Sequence, residues 1–431
     1  MIGHYARWSV IVVALAALLV GCGADVVPTS PPAATATAPS AAAVSQAAPS
    51  PTASSAGTSS SPVPSGAGRV DPDAWAFADV LQPDVVTQAP SLEPGFHCSP
   101  CHPAAASQLF GVTGTSSGFL GVGVQQPPAI AVAVATSDGR TWEPVAWDPG
   151  ERTTAIAAAS LGDDTVVVGS GPTGAAAWVL RNGAWTPASG DALEGEVGAT
   201  AMTAVVASGD GFVAGGYRDD PLHAAASAAA WSSRDGLTWK TEGPAAVFAG
   251  GRIDGIAAQG DVVVAVGTAG DPTYGPAAAW VRTDGSWHRA SIQDPGGAMH
   301  AVAATADGFV AVGQNADDSG ARVWRSTDGT TWAPVADQPA FHALSGPIRM
   351  LSLAADGRGL VAGGWTSDAA NGSSAAWTSP DGERWDQAAW VPAFSGGQIR
   401  GLALTGDSAL GVGRSGYPDN NQAAAWIRRR P

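Results

Sequence analysis

Gly308-Phe309-Val310-Ala311-Val312-Gly313, then Arg322-Val323-Trp324, then Ser326-Thr327-Asp328-Gly329-Thr330-Thr331-Trp332: this stretch holds two short apolar runs, a turn and a second tryptophan. The first run is continuous, aromatic and β-branched, and is bounded by glycine, which reads as a strand buried on both faces. Asp-Gly between two apolar segments is a strong short hairpin signal, because these residues accept positive φ at low steric cost. Strand, strand, turn and strand therefore follow one another within one short unit.

The unit recurs down the chain. The apolar run ends at Gly123, Gly169, Gly216, Gly267, Gly313, Gly364 and Gly413, at spacings of 46, 47, 51, 46, 51 and 49 residues. A second signature follows at Trp178, Trp231, Trp280, Trp324, Trp377 and Trp426, with Val134 in the first unit. Between it and a further tryptophan (Trp142, Trp185, Trp239, Trp287, Trp332 and Trp385) lies an Asp-Gly or, once, an Asn-Gly dipeptide. Adding the apolar segment that precedes each glycine-ended run predicts four strands per unit. A sheet that small cannot cover its own two faces, so radial stacking, in which each unit is its neighbour's core, predicts an all-β, seven-bladed β-propeller of four-stranded antiparallel blades. Paired tryptophans suit the wedge between blades. The last unit stops near Trp426 without a fourth strand, and the segment from Trp75 to Val86 is the expected closing strand, which would remove the open edge.

The turn resembles the Asp-box, or BNR, repeat of sialidase-like propellers. The matching pieces are Ser137-Asp138-Gly139-Arg140-Thr141-Trp142, Ser233-Arg234-Asp235-Gly236-Leu237-Thr238-Trp239, Ser326 to Trp332, and Ser379-Pro380-Asp381-Gly382-Glu383-Arg384-Trp385, with shortened versions at Asn182 and Asp284. The resemblance implies architecture: in that family the turn is structural and lies on the face away from the active site. Sialidase chemistry would need a tyrosine nucleophile, an acid/base pair and several arginines around the central pocket. The chain lacks the family's Arg-Ile-Pro motif.

Ahead of the repeats, Arg7 is followed by an uncharged apolar stretch from Trp8 to Val20 and by Leu19-Val20-Gly21-Cys22. That order is an export signal, and its last four residues resemble the lipobox of bacterial lipoproteins, in which the cysteine becomes the acylated first residue. The expectation is a signal peptide over 1–21, lipidated Cys22 and a disordered Ala/Pro/Ser/Thr linker over 22–70, and a propeller over 71–431. No charged residue occurs between Val26 and Gly68, and such a stretch cannot bury enough apolar surface to offset its ordering entropy. The expected location is extracytoplasmic, lipid-anchored to the bacterial cell membrane.

Charge narrows the function further. The chain carries −16 formal charges with 13% charged residues, and the first 70 residues contribute Arg7 and Arg69 against Asp25, so the repeats are acidic. This excludes a charge-rich coiled coil and a nucleic-acid partner, which would demand a basic surface. Four loops after the glycine-ended strands are long, Tyr217 to Ser227, Thr268 to Pro276, Trp365 to Ser374 and Arg414 to Gln422, and they hold Tyr217, Tyr274 and Tyr417 with several aspartates. Aligning the preceding strands places Thr203, Asp254, His300, Arg349 and Arg400 at one position of successive units, with Phe110 and Ile156 in the first two. Arg349 and Arg400 from adjacent blades would then converge, which suits a carboxylate or phosphate. Asp254, His300, Arg349, Arg400, Trp365 and Tyr417 are thus the candidate ligand-binding residues. No catalytic residue and no cofactor is assigned.

His97-Cys98-Ser99-Pro100-Cys101-His102 contains the C-x-x-C-H pattern of c-type haem attachment. A metal held with either histidine is a second reading of the same residues. With Cys22 committed to lipid, however, a lone cysteine pair in an oxidising compartment favours a disulfide between Cys98 and Cys101. The function expected is a cell-surface binding or scaffold module for an anionic glycan or an envelope protein; the alternative is a sialidase-like glycoside hydrolase acting on surface glycans.

Overall fold

The computed structural model describes residues 74–80, 106–195, 199–220, 225–270, 275–368, 372–416 and 421–430. Cys22, Cys98, Cys101 and Tyr417 lie outside the described residues, as do the leader and the linker. The described chain is almost entirely β and forms seven sheets, each built on four antiparallel strands in meander order; two of the sheets gain a short parallel strand at the outer edge. Blades are numbered in chain order, and strands within a blade A to D from the centre outward. The innermost strands are Ala106–Thr115, Thr154–Leu161, Thr200–Ser208, Gly251–Gln259, Ala298–Thr305, Ile348–Asp356 and Gln398–Leu404. Each packs beside the next, and the seventh packs beside the first, so the ring is closed.

Closure uses the two ends of the repeat region. Ala76–Phe77 pairs antiparallel with the C-terminal strand Gln422–Arg429 and supplies the missing outer strand of blade 7. Trp75, 4% exposed, seals the joint against Val361, Phe394 and Ile399. Past Ala78 the chain crosses to the neighbouring blade, where Asp79–Val80 pairs parallel with Thr141–Pro144. The predicted closing segment is therefore shared between two blades.

The glycine that ends strand B marks a bulge in strand A. Leu109, Ala155, Met202, Ile253, Met299, Met350 and Ile399 pair with the seven glycines, and in every blade the next strand-A residue is left out of register. A Cβ on Gly364 would sit on the carbonyl oxygen of Arg349, and the same holds for Gly267 and Arg252. The recurring glycine is thus required by close backbone approach at a bulge.

Tryptophan completes the wedges, as the repeat spacing implies. In five blades the strand-C indole is fully buried, and its Nε1–H donates to a carbonyl in the connection arriving from the previous blade: Trp231 to Ala192, Trp280 to Val247, Trp324 to Asp294, Trp377 to Ala340 and Trp426 to Ala393, at 2.7–3.2 Å. A buried indole N–H left without an acceptor would cost stability, so each bond also fixes the approach of one blade to the next. Blade 2 differs: Trp147 stacks on Trp185 at 4.3 Å and meets Trp178 edge-on at 5.1 Å.

The turns between strands C and D fall into two classes. In blades 1, 3, 5 and 6 a Ser or Thr hydroxyl accepts the glycine N–H: Thr136, Ser233, Ser326 and Ser379. The aspartate Oδ1 accepts the next two backbone N–H groups, and the following tryptophan Nε1–H donates to the glycine carbonyl. Blades 2 and 4 carry Leu180 and Arg282 where the others have the hydroxyl. With no cap for the longer loop they make two-residue turns, Asn182-Gly183 and Asp284-Gly285, with both residues at positive φ. The two-residue turn expected in all six units is therefore confined to these two.

Candidate functional site

Strand A starts, and strand B ends, on the face that carries the long loops. The bulge residues there are Phe110, Ile156, Thr203, Asp254, His300, Leu351 and Arg400. Arg349 is not among them. It lies two residues before the blade-6 bulge, opposite Trp365, in the register that Arg252 occupies in blade 4. The alignment of Arg349 with Arg400 is corrected: the bulge recurs in every blade, so the count back from the glycine is the same in all seven, and it falls on Leu351 in blade 6, with Arg349 two residues earlier.

Two clusters result. The first gathers Asp254, His300, Arg252 and Arg349. Arg252 Nε donates to Asp254 Oδ1 at 2.6 Å, and its guanidinium lies 4.8 Å from the ring centroid of buried Tyr217. Burial opposes the charge on Arg252, but Asp254 and Tyr217 outweigh it and hold the group above its ordinary pKa. His300 Nε2 shares a hydrogen bond of 3.0 Å with Gln314 Oε1. Burial pushes the His300 pKa down; Asp254 pulls the other way, while Arg349 and Arg252 add to the lowering. Arg349 makes a two-pronged pair with Asp318, a residue at positive φ in the loop after strand B of blade 5, with Nε to Oδ1 at 2.7 Å. Both side chains of this pair are more than four-fifths buried. Each arginine of this cluster already has a carboxylate.

The second cluster surrounds Arg400. Its Nε donates to Gln398 Oε1 at 3.0 Å, and the guanidinium carbon lies 5.3 Å from the centroid of the Phe110 ring in blade 1. Arg414, directly after the blade-7 glycine, donates from Nε to the same Gln398 oxygen at 3.1 Å and from Nη1 to Asn421 Oδ1 at 3.1 Å. Two guanidiniums thus meet at one amide oxygen. Among the described residues no carboxylate pairs with Arg400. Burial pushes the Arg400 pKa down to about 9, with the like charge of Arg414 adding to the shift. Such a group is stabilised by an arriving anion.

Asp254 and His300 thus share their surroundings with Arg349 and Arg252, whereas Arg400 meets Arg414, Gln398 and Phe110 and not, as expected, Arg349. Trp365 stands opposite Arg349 in its strand pair, its indole against Gly372. Arg252, Asp318, Arg414 and Gln398 are the residues that sequence reasoning missed. For all but Asp318, which lies in a loop, the signal was the cross-strand pair one step nearer the loops than the glycine, which holds Arg252 with Thr268, Arg349 with Trp365 and Gln398 with Arg414.

No protein-family model and no curated protein sequence matches the chain. Among solved structures it is similar to YCF48 bound to D1 peptide, at 15% identity and a TM-score of 0.49, over 76% of this chain and 93% of that one. A protein of unknown function from Dyadobacter fermentans follows at 13% identity and 0.44, over 76% and 96%. Trypanosoma rangeli sialidase in complex with sialic acid matches at 9% identity and 0.41, over 75% of this chain and 54% of the sialidase.

Proposed function

We infer that the chain is a lipid-anchored, extracytoplasmic binding module of a bacterial cell, in which a signal peptide (1–21) and a linker (22–70) precede a ligand-binding propeller (71–431). Cys22 is the lipidated residue, Cys98 and Cys101 form a disulfide, and the four hydroxyl-capped turns are Asp-box repeats of the sialidase-like type. The ligand is a carboxylate or phosphate group on a glycan or envelope protein, received by Arg400 and Arg414 on the loop-bearing face.

One observation carries the ligand class: Arg400 is a partly buried cation with a second guanidinium beside it and no described carboxylate. The two carboxylates of the first cluster, Asp254 and Asp318, are both held by arginines, which favours binding over general acid–base work there, since a catalytic pair needs its protons free to move. Calorimetry with anionic glycans, comparing the wild type with Arg400→Ala and Arg414→Ala, tests the site. Equal binding by all three removes it. Fractionation of cells carrying Cys22→Ala tests the anchor separately, with release or misprocessing expected.

A further inference from the structure

The opposite face, which carries the C-to-D turns, holds a second feature. Each blade presents there a slot formed by one residue of strand B and one of strand C. In four blades the slot is filled by the hydroxyl-capped turn of the following blade, glycine first. Gly139 faces Leu410 and Ile427, Gly236 faces Val166 and Val179, Gly329 faces Val264 and Val281, and Gly382 faces Val310 and Arg325. The slot of blade 1 is covered by Trp147 and Trp185, and that of blade 6 by Trp75.

Blade 3 is the exception. The turn that should enter its slot is the two-residue Asp284-Gly285, and a Cβ on Gly285 would meet nothing within 4 Å, unlike those of the four seated glycines. A cleft of about 730 Å³ remains, lined by Val213 and Ser232, by the cations Arg234, Lys240 and Arg282, and by Asp210, Asp235, Asp261 and Asp284. One lining residue, Arg282, is tied beneath the cleft wall: it pairs with Glu242 at 2.8 Å, and Glu242, its side chain 7% exposed, also accepts from Trp287 Nε1 at 2.9 Å.

We propose that this cleft is a docking slot for an Asp-Gly turn presented by a protein partner. The shape argument is internal, because four equivalent slots of the same molecule hold such turns. Two exposed cations stand among the aspartates of the cleft. In blade 5, Arg325 pairs with Glu383 of its inserted turn, and in blade 2, Arg181 is held chiefly by Asp164 of its own blade, with Asp235 of the seated turn a smaller attraction. Arg234 holds in blade 3 the place that Arg181 holds in blade 2, three residues after the strand-C tryptophan. It is 89% exposed, with Asp210 only at 4.0 Å, and Lys240, the sole lysine of the chain, stands on the same wall. Both are placed to meet an incoming carboxylate.

The test uses the purified full chain and a cyclised peptide of the sequence Ser-Thr-Asp-Gly-Thr-Thr-Trp, taken from residues 326–332. Calorimetry should show saturable binding of this peptide and none of a scrambled cycle. The Arg234→Glu, Lys240→Glu double variant, altered only at exposed positions, should bind several-fold more weakly, whereas Arg234→Lys should bind as the wild type does. Replacing residues 282–286 by the 326–331 sequence, which supplies the capped turn in cis, should abolish binding. Absence of saturation at millimolar peptide, or undiminished binding by the charge-reversed variant, would overturn the proposal.

Discussion

Arg400 of blade 7 lies over Phe110 of blade 1, guanidinium carbon to ring centroid 5.3 Å, so a cation and an aromatic ring nearly 300 residues apart in sequence meet across the seam where the propeller closes. The aromatic face compensates part of the charge. The remainder is the cost that burial and Arg414 impose, and the proposed ligand would relieve it.

Arg400→Leu should therefore be neutral or more stable than the wild type, by up to about 1–4 kcal/mol as for other buried charges replaced by apolar groups. A pKa lowered in the folded state means that the charged form destabilises the fold at every pH below about 9 and that the penalty fades as pH rises through that value. The stability gap between variant and wild type should accordingly narrow above pH 9. Citrate or phosphate should raise the melting temperature of the wild type, at constant ionic strength, and leave the variant unchanged. Chemical denaturation across pH, with and without these anions, checks both statements.

Arg349→Ala should behave oppositely. It leaves Asp318 buried without its cation, a change that costs about 3–5 kcal/mol in comparable pairs. Adding Asp318→Asn should recover part of the loss. Anion binding at Arg400 should survive in the double variant, which calorimetry can verify.

The turn aspartates set the acid limb of stability. Asp138, Asp235 and Asp381 are lowered below the ordinary carboxylate pKa chiefly by backbone N–H donors, and Asp328 by the Thr330 hydroxyl and then the Thr330 N–H. Groups lowered in the folded state contribute stability that is complete above the unfolded value near 3.8 and is lost as pH falls below it. A Asp235→Asn, Asp328→Asn variant should be less stable at pH 7 and show a flatter loss between pH 4 and 2, as measured by urea unfolding at each pH.

Gly364→Ala should cost about 3 kcal/mol or more, because the new methyl group meets the Arg349 carbonyl and the bulge must shift. Gly183→Ala, at positive φ but with open space around it, should cost only about 1–2 kcal/mol. Comparable losses in the two variants would show that the bulge is not what demands glycine.

Trp75→Ala should cost about 3–5 kcal/mol, the usual loss for a buried tryptophan, since the ring closes the joint of blade 7. Removing residues 1–73 should leave the melting temperature unchanged, whereas removing residues 1–80 should lower it sharply. Calorimetric melting of the two truncations decides this.

The repeat of Gly313-like glycines, the alternating tryptophans and the missing last strand were enough to specify seven blades and their closure, because each is a local requirement: a strand buried on both faces, a wedge to fill, an edge to cover. The strand-C hydroxyl was legible too, had it been compared across units, since Thr136, Ser233, Ser326 and Ser379 against Leu180 and Arg282 separates capped turns from short ones. The grouping of the arginines was not legible. Counted back from its glycine, Leu351 is the residue that matches Arg400, and Arg349 falls two residues earlier, but that count does not say which groups the two arginines meet. The partners that neutralise Arg349 and leave Arg400 exposed to its own charge come from different blades: Asp318 from blade 5 and Phe110 from blade 1. Repetition along the chain determined which strands exist and in what order; which charges are paired was decided only when the ring closed, because pairing depends on distances between blades that no spacing along one strand encodes.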